Sequence, residues 1–334
     1  MAMVSLGDMA QSFLLRRQNV ALKVDQQRLS SELALGRVSD AAQHLRADLT
    51  GLGAMEITLA RLAGYATITA EVAGRAAAMQ GVLEHIGHLT LDHRAALLSA
   101  GSAGTAATVS ATARESRAQL EAVIAVVNTQ YAGQTLFAGV QGDGPALADA
   151  ETLLAALETA TAGAATSTDL EAAVTAWFAS PGGFVATLYQ GGEAQGPLSV
   201  AQGEKLALGV TARDPAIADT LKALALGALV DRGSFAGQPA ARAQLLQRAG
   251  ESLFGSEAAR VGLAARIGLA EARLEQARLR NSAEASALDV ARSTMLAVDP
   301  YETAVRLEAT TTQLETLYSI TARITRLSLV DYLR

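Results

Sequence analysis

The sequence contains no cysteine. That single absence removes disulfide frameworks, thiolate nucleophiles and cysteine-ligated zinc. Aromatic residues are scarce, at 4% of the 334 residues, although half of the chain is hydrophobic. Alanine, the best helix former, supplies much of that half. Such a composition favours slender, closely packed helices over a bulky core. Net charge is a mild −6, with a pI near 5.4. Phosphate recognition calls for a basic surface, so the composition argues against nucleic acid as a partner. Apolar runs are short as well. LEAVIAVV (120–127) and LKALALGALV (221–230) fall well below the about 18 residues of a membrane span, and each carries a charge. The opening MAMVSLGDMAQSFLLRRQ lacks the basic start and unbroken apolar run of a cleavable secretion signal. Neither membrane insertion nor a cleaved signal is expected.

Reactive constellations are equally thin. There is no GxxxxGK[ST] phosphate loop, no HExxH and no GxSxG elbow. Gly139, Gly142 and Gly144 crowd one loop without the GxGxxG spacing. His85 and His88 share a helix face near Glu84 and Asp92; without further strong ligands they read as solvated helix histidines. Trp177 and Phe178 read as the plug of a small core. No catalytic, cofactor-binding or metal-binding residue is assigned, and no enzyme is expected.

The chain does carry long helical patterns. Residues 5–35 read as one helix with two apolar stripes at 100° per residue. Leu6, Met9, Phe13, Val20 and Val24 form one, and Leu15, Leu22, Leu29 and Leu33 lie opposite. GRVSDA (36–41) breaks the pattern, and Asp40 with Gln43 caps a long helical stretch over 41–98. Its glycines 51, 53, 64, 74, 81 and 87 permit close helix approach. After a turn at Ala100–Gly104 a second helix runs over 105–132, with Leu120, Ile124, Val127 and Tyr131 on one face, followed by a loop over 133–145. Two short helices fill 146–180, the second capped by Thr168 and Glu171. FVATLYQ (184–190), PLSVA (197–201) and KLALGVT (205–211) read as strands. Asp214-Pro215 starts a helix to about 230, and further helices are expected over 240–252 and 256–297. Asp299-Pro300-Tyr301-Glu302 caps a last helix, again with two stripes. Leu307, Leu314, Tyr318, Ile324, Leu329 and Tyr332 share one side, and Val305, Ile320, Leu327 and Val330 lie opposite.

The fold expected is mainly α: a long antiparallel helical rod with paired N- and C-terminal helices and a small β-hairpin-containing middle domain. Its expected parts are a terminal assembly helix (1–38), a helical half-rod (39–139), a variable middle (140–212), a returning half-rod (213–299) and a second assembly helix (300–334). A helix on a monomer surface needs one apolar stripe. Two stripes leave one over for a partner. The expected assembly interface is therefore apolar: Leu6, Phe13, Leu15, Val20, Leu22, Leu29, Leu33, Leu307, Leu314, Tyr318, Ile324, Leu327, Leu329 and Tyr332.

Four segments carry a likeness. QRLSSELALGRVSDAA (27–42), NTQYAGQTLFAG (128–139), LYQGGEAQGPLSVAQGEKLALGVTARD (188–214) and LETLYSITARITRLSLVDYLR (314–334) resemble segments of the flagellin superfamily of bacterial flagellar axial proteins. Within it the chain is most similar to the hook–filament junction branch, hook-associated protein 3. Ser39-Asp40-Ala41-Ala42 departs from the family's paired acids and proline, and 146–180 reads as an insertion. The resemblance implies a structural adaptor of the extracellular flagellum, with flagellin itself as the alternative; a coiled-coil signalling rod is a more remote reading. It implies pairing of the terminal helices as a coiled coil and passage through the flagellar export apparatus without a cleaved signal. The implied partners are further copies of the chain, hook-associated protein 1, flagellin, and an export chaperone at the C-terminal helix.

Overall fold

The computed structural model describes residues 6–332, with side chains described over 9–324. Among the described residues the chain forms ten helices and two small antiparallel hairpins. The helices are α1 (Leu6–Leu35), α2 (Ala41–His44), α3 (Thr50–Ala103), α4 (Ala106–Val127), α5 (Ala150–Thr161), α6 (Ser167–Ala179), α7 (Phe184–Thr187), α8 (Pro215–Asp231), α9 (Pro239–Met295) and α10 (Pro300–Tyr332). The strands are β1 (Gln130–Tyr131), β2 (Gln134–Thr135), β3 (Leu198–Ala201) and β4 (Glu204–Leu206). The chain divides into two compact units, one made of residues up to Leu62 and from Ala283 onward, the other of Ala63–Ser282. The chain is mainly α, as its composition implies.

In the larger unit, α4 and α8 pack along each other against the 76–97 part of α3 and the 245–267 part of α9. Leucine, valine and alanine fill this core, with Phe137 its largest fully buried side chain. Small residues set the spacing. A methyl group on Gly101 would lie 2.6–2.7 Å from the Cβ, Cα and N of Gln247, so α3 and α9 cross there nearly backbone to backbone. The β3–β4 hairpin turns through Gly203 at φ +74° and places Val200 and Leu206 against Val72 and Leu274. Asn281 donates to the Val200 carbonyl at 2.8 Å, which satisfies a buried amide beneath the hairpin.

Residues between Arg117 and Lys205 include no basic side chain. The short helices α5 and α6 are therefore fastened by arginines from elsewhere. Arg232, just past α8, reaches Glu158 at 2.7 Å and Glu151 at 2.8 Å, and Arg248 of α9 reaches Glu171 at 2.6 Å.

Several elements differ from the sequence expectation. Residues 184–190 form not a strand but the single turn of α7, with only a bridge between Tyr189 and Leu147. Phe184 is buried and stacks on Phe178 at 5.3 Å, so an apolar run that scanned as strand serves as a core plug. β4 stops at Leu206. The long early helix is interrupted: α2 is one turn, and Arg46 and Ala47 at positive φ separate it from α3. That helix also runs on through the expected turn, to Ala103. Tyr131 belongs to the β1–β2 hairpin rather than to α4. The cap of α6 is Thr166 with Asp169, two residues earlier than expected. Residues 240–297 hold one continuous helix, α9, in place of two. Asp214 and Asp299 do cap their helices, accepting from Ala216 and Tyr301 respectively.

One buried titratable group stands out. His93 is 4% exposed, and its Nε2 lies 2.8 Å from Ser116 Oγ. Ser116 already gives its own hydrogen to the Thr112 carbonyl at 3.0 Å, so the imidazole must be the donor in that contact. Nδ1 is then left without a partner. A proton there would be a buried, unanswered donor. Burial accordingly holds the imidazole pKa below its usual value, with Glu115 opposing the shift.

Gly101→Ala should destabilise the larger unit by about 1–3 kcal/mol through overpacking. Gly81→Ala, which meets open space, should stabilise it by about 1 kcal/mol; urea midpoints of the two variants check the contrast. Acidification should weaken the same unit. Because the folded imidazole titrates below the unfolded value of about 6.5, the unfolded state binds the extra proton first, and stability falls as pH drops through about 6.5. His93→Gln should flatten that part of a melting-temperature profile measured from about pH 7.5 to 5.5.

Candidate assembly surface

α1 and α10 run antiparallel. Gln26 Nε2 donates to Thr311 Oγ1 at 3.4 Å, and Lys23 lies 5.9 Å from the centre of the Tyr318 ring, so residue numbers fall on one helix as they rise on the other. α1 ends where Gly36, at φ +66°, turns out of the helix and donates its N–H to the Glu32 carbonyl at 2.8 Å. A left-handed glycine is the common way to close a helix. α10 starts on Asp299, whose carboxylate accepts from Tyr301 N at 2.8 Å and Glu302 N at 3.1 Å. Pro300 fits the first turn because it has no N–H to satisfy.

Within the pair, α1 contributes the half-buried Leu15, Asn19, Leu22 and Gln26 and the buried Leu29. α10 contributes Thr303, Leu307, Thr310, Leu314, Leu317 and Ile324, all buried or half-buried. Both sets alternate steps of four and three residues, which keeps one face of a helix turned to its partner. Of the two stripes of α1, the one with Leu15, Leu22 and Leu29 turns inward, apart from Leu33, which is 36% exposed at the end of the helix.

The opposite stripe faces outward. Met9, Phe13, Val20 and Val24 are 57–66% exposed, and Val305 and Ile320 of α10 are 48% and 44% exposed. Tyr318, on the same sequence stripe as Leu307 and Leu314, is 48% exposed and sits at the seam's edge. Hydrogen bonds from Asn19 and then Lys23, with the ammonium charge adding to them, hold its phenol pKa below the usual value. Leu317 is buried beside it, and the four–three spacing from Leu307 and Leu314 is the signal that marks it. Leu14, 56% exposed, broadens the open patch and was not singled out from the sequence. The side chains of Leu6, Leu327, Leu329 and Tyr332 lie outside the described residues.

This surface holds a shallow hollow lined by Ala21, Leu22, Leu317 and Ile320, with glutamines and threonines at its rim. Among the described residues no group of three or more potential metal ligands converges. His85 and His88 are exposed, and His88 meets only Glu84, at 3.8 Å. No described helix is long and apolar enough to cross a membrane.

Comparison with known proteins gives this helical pair a setting. No curated protein is a significant match to the sequence. The fold, however, matches a solved structure from Vibrio parahaemolyticus, of a protein provisionally named a flagellar hook-associated protein. The TM-score is 0.53 at 16% identity, over 75% of this chain and 97% of that one. That likeness is one of fold. The sequence itself matches the family model of the bacterial flagellin C-terminal helical region over residues 261–333, which span part of α9 and all of α10.

Proposed function

We propose that the chain is a structural subunit of the bacterial flagellum that assembles through the open apolar stripes of its terminal helix pair. The observation that carries this reading is the outward stripe of α1. Phe13 and Val20 are 66% and 62% exposed on a helix whose other face is already covered by α10. An apolar patch of that length marks an interaction site on an otherwise soluble surface. The flagellin C-terminal region over 261–333 supports a flagellar setting.

Within that setting we read the chain as the adaptor that joins hook to filament, following the tyrosine-containing end LSLVDYLR (327–334). The terminal pair would act as a coiled coil in the innermost shell, the long helices as the next shell, and the middle around 140–212 as the outward part. Copies of itself, hook-associated protein 1 and flagellin would be its neighbours. Export without a cleaved signal, attended by a chaperone on α10, completes the reading. Flagellin is the second reading, supported by the same segment match; a filament subunit should dominate sheared filaments, and an adaptor should be a trace component.

Two outcomes are expected. Val20→Asp should abolish assembly yet leave monomer helicity and melting temperature unchanged, because the new charge stays in water. Leu314→Asp, buried in the seam at 5% exposure, should open the pair and lower helicity too; equal loss of helicity in both would contradict an outward docking stripe. A strain lacking the protein should make hooks without filaments and shed flagellin monomers into the medium. Filaments retained in that strain would rule out the adaptor.

A further inference from the structure

The leucines of the seam do not by themselves fix how far α1 slides along α10. Leu15, Leu22 and Leu29 recur every seven residues, as do Leu307 and Leu314, and Leu317 and Ile324. A slide of seven residues, about 10 Å at 1.5 Å per residue, returns apolar groups to apolar groups. The hydrophobic effect is non-directional and separates such registers poorly. The Gln26–Thr311 contact is long, at 3.4 Å, and both residues are half-buried, so water can replace either partner.

A much sharper constraint lies at the end of the pair. The two chain breaks meet as a short antiparallel bridge: Val38 N–H donates to the Leu296 carbonyl at 2.9 Å, and Val298 N–H to the Gly36 carbonyl at 3.2 Å. Beside it Glu32, a residue of α1, is 5% exposed. Its Oε1 accepts the Ser39 N–H at 3.0 Å and meets Arg28 at 3.4 Å. A buried carboxylate is strongly penalised unless its partners are in place. The Ser39 amide reaches it only when residues 36–39 fold back as they do here, and that fold-back presents Gly36 and Val38 to the 296–298 segment.

We infer that Glu32 is the positioning residue that sets the register of α1 against α10. The carboxylate holds the 36–39 segment in the conformation that bridges to Leu296 and Val298, and the bridge stops the two helices from sliding by a heptad. The inference takes up the same pair on which the proposed assembly rests. Register decides which outward residues of α1 lie beside Val305 and Ile320, and so the pattern a neighbour would meet.

The absence of cysteine makes the test direct. Ser30→Cys and Glu308→Cys, both at exposed positions, carry spin labels on the full chain, kept dilute and monomeric. Electron–electron resonance should give one distance in the parent and in Glu32→Gln, whose amide oxygen still accepts from Ser39. Glu32→Ala should add a second population at a longer distance, because a slide of about 10 Å along the axis offsets two labels that lie side by side across the pair, with helicity by circular dichroism retained. A single unshifted distance in Glu32→Ala would overturn the inference, as would a parent with no defined distance. Melting of the pair in Glu32→Ala would also overturn it, because Glu32 would then support stability and not register. The readout is made on monomers, so a failure of the chain to polymerise leaves it intact and counts only against the proposed assembly.

Discussion

A helix with one apolar stripe is satisfied by one neighbour. α1 and α10 each carry two, and within the chain each covers one stripe of the other along the seam from Leu15 to Leu29 and from Leu307 to Ile324. The arithmetic of faces leaves Met9, Phe13, Val20 and Val24 in water on α1, and Val305 and Ile320 on α10. That imbalance is the constraint on which the functional reading depends. A self-sufficient fold would gain by burying those side chains, at roughly 1.5–3 kcal/mol each. A subunit that polymerises keeps them for its neighbours.

The seam itself is leaner than the surface it leaves open. Asn19, Gln26, Thr303 and Thr310 occupy positions that leucine would fill in a strongly self-associating pair. Polar groups in such positions reduce stability and constrain geometry. The breaks on either side then do work that the seam cannot: Gly36 and Asp299 end and start the two helices, and Glu32 fastens the chain between them. Local capping chemistry and the antiparallel bridge therefore shape an interface made of residues some distance away.

The larger unit is built on a different economy. Its helices approach closely through glycine, alanine and serine, as at Gly101 on Gln247 and Gly227 on Ser116. Few large side chains are needed, which is why so aromatic-poor a sequence still yields a continuous core. The short helices α5 and α6 bring acids and no bases of their own, and the arginines that fasten them come from α4, the end of α8 and α9.

Much of this was legible in the residues. The mainly helical class, the breaks at 36–41 and at Asp299-Pro300, the caps at Asp214 and Asp299, and the two stripes of α1 all follow from local rules: helical periodicity, proline at a first turn and side chains that bind free amides. Such rules act within a few residues, so the sequence carries them complete. Other features depended on contacts between distant segments. Residues 184–190 form a helical turn in which Phe184 stacks on Phe178, and α9 runs unbroken past Gly255 with Leu253, Leu263 and Ile267 in the core. Periodicity identified two greasy sides on each terminal helix, but only the tertiary structure decided which one turned inward. Leu317, not Tyr318, took the seam, because the four–three step of a paired helix counts from its partner and not from its own axis. The burial of Glu32 and His93 was likewise invisible beforehand, since a charged or polar residue enters a core only where another segment supplies its hydrogen bond.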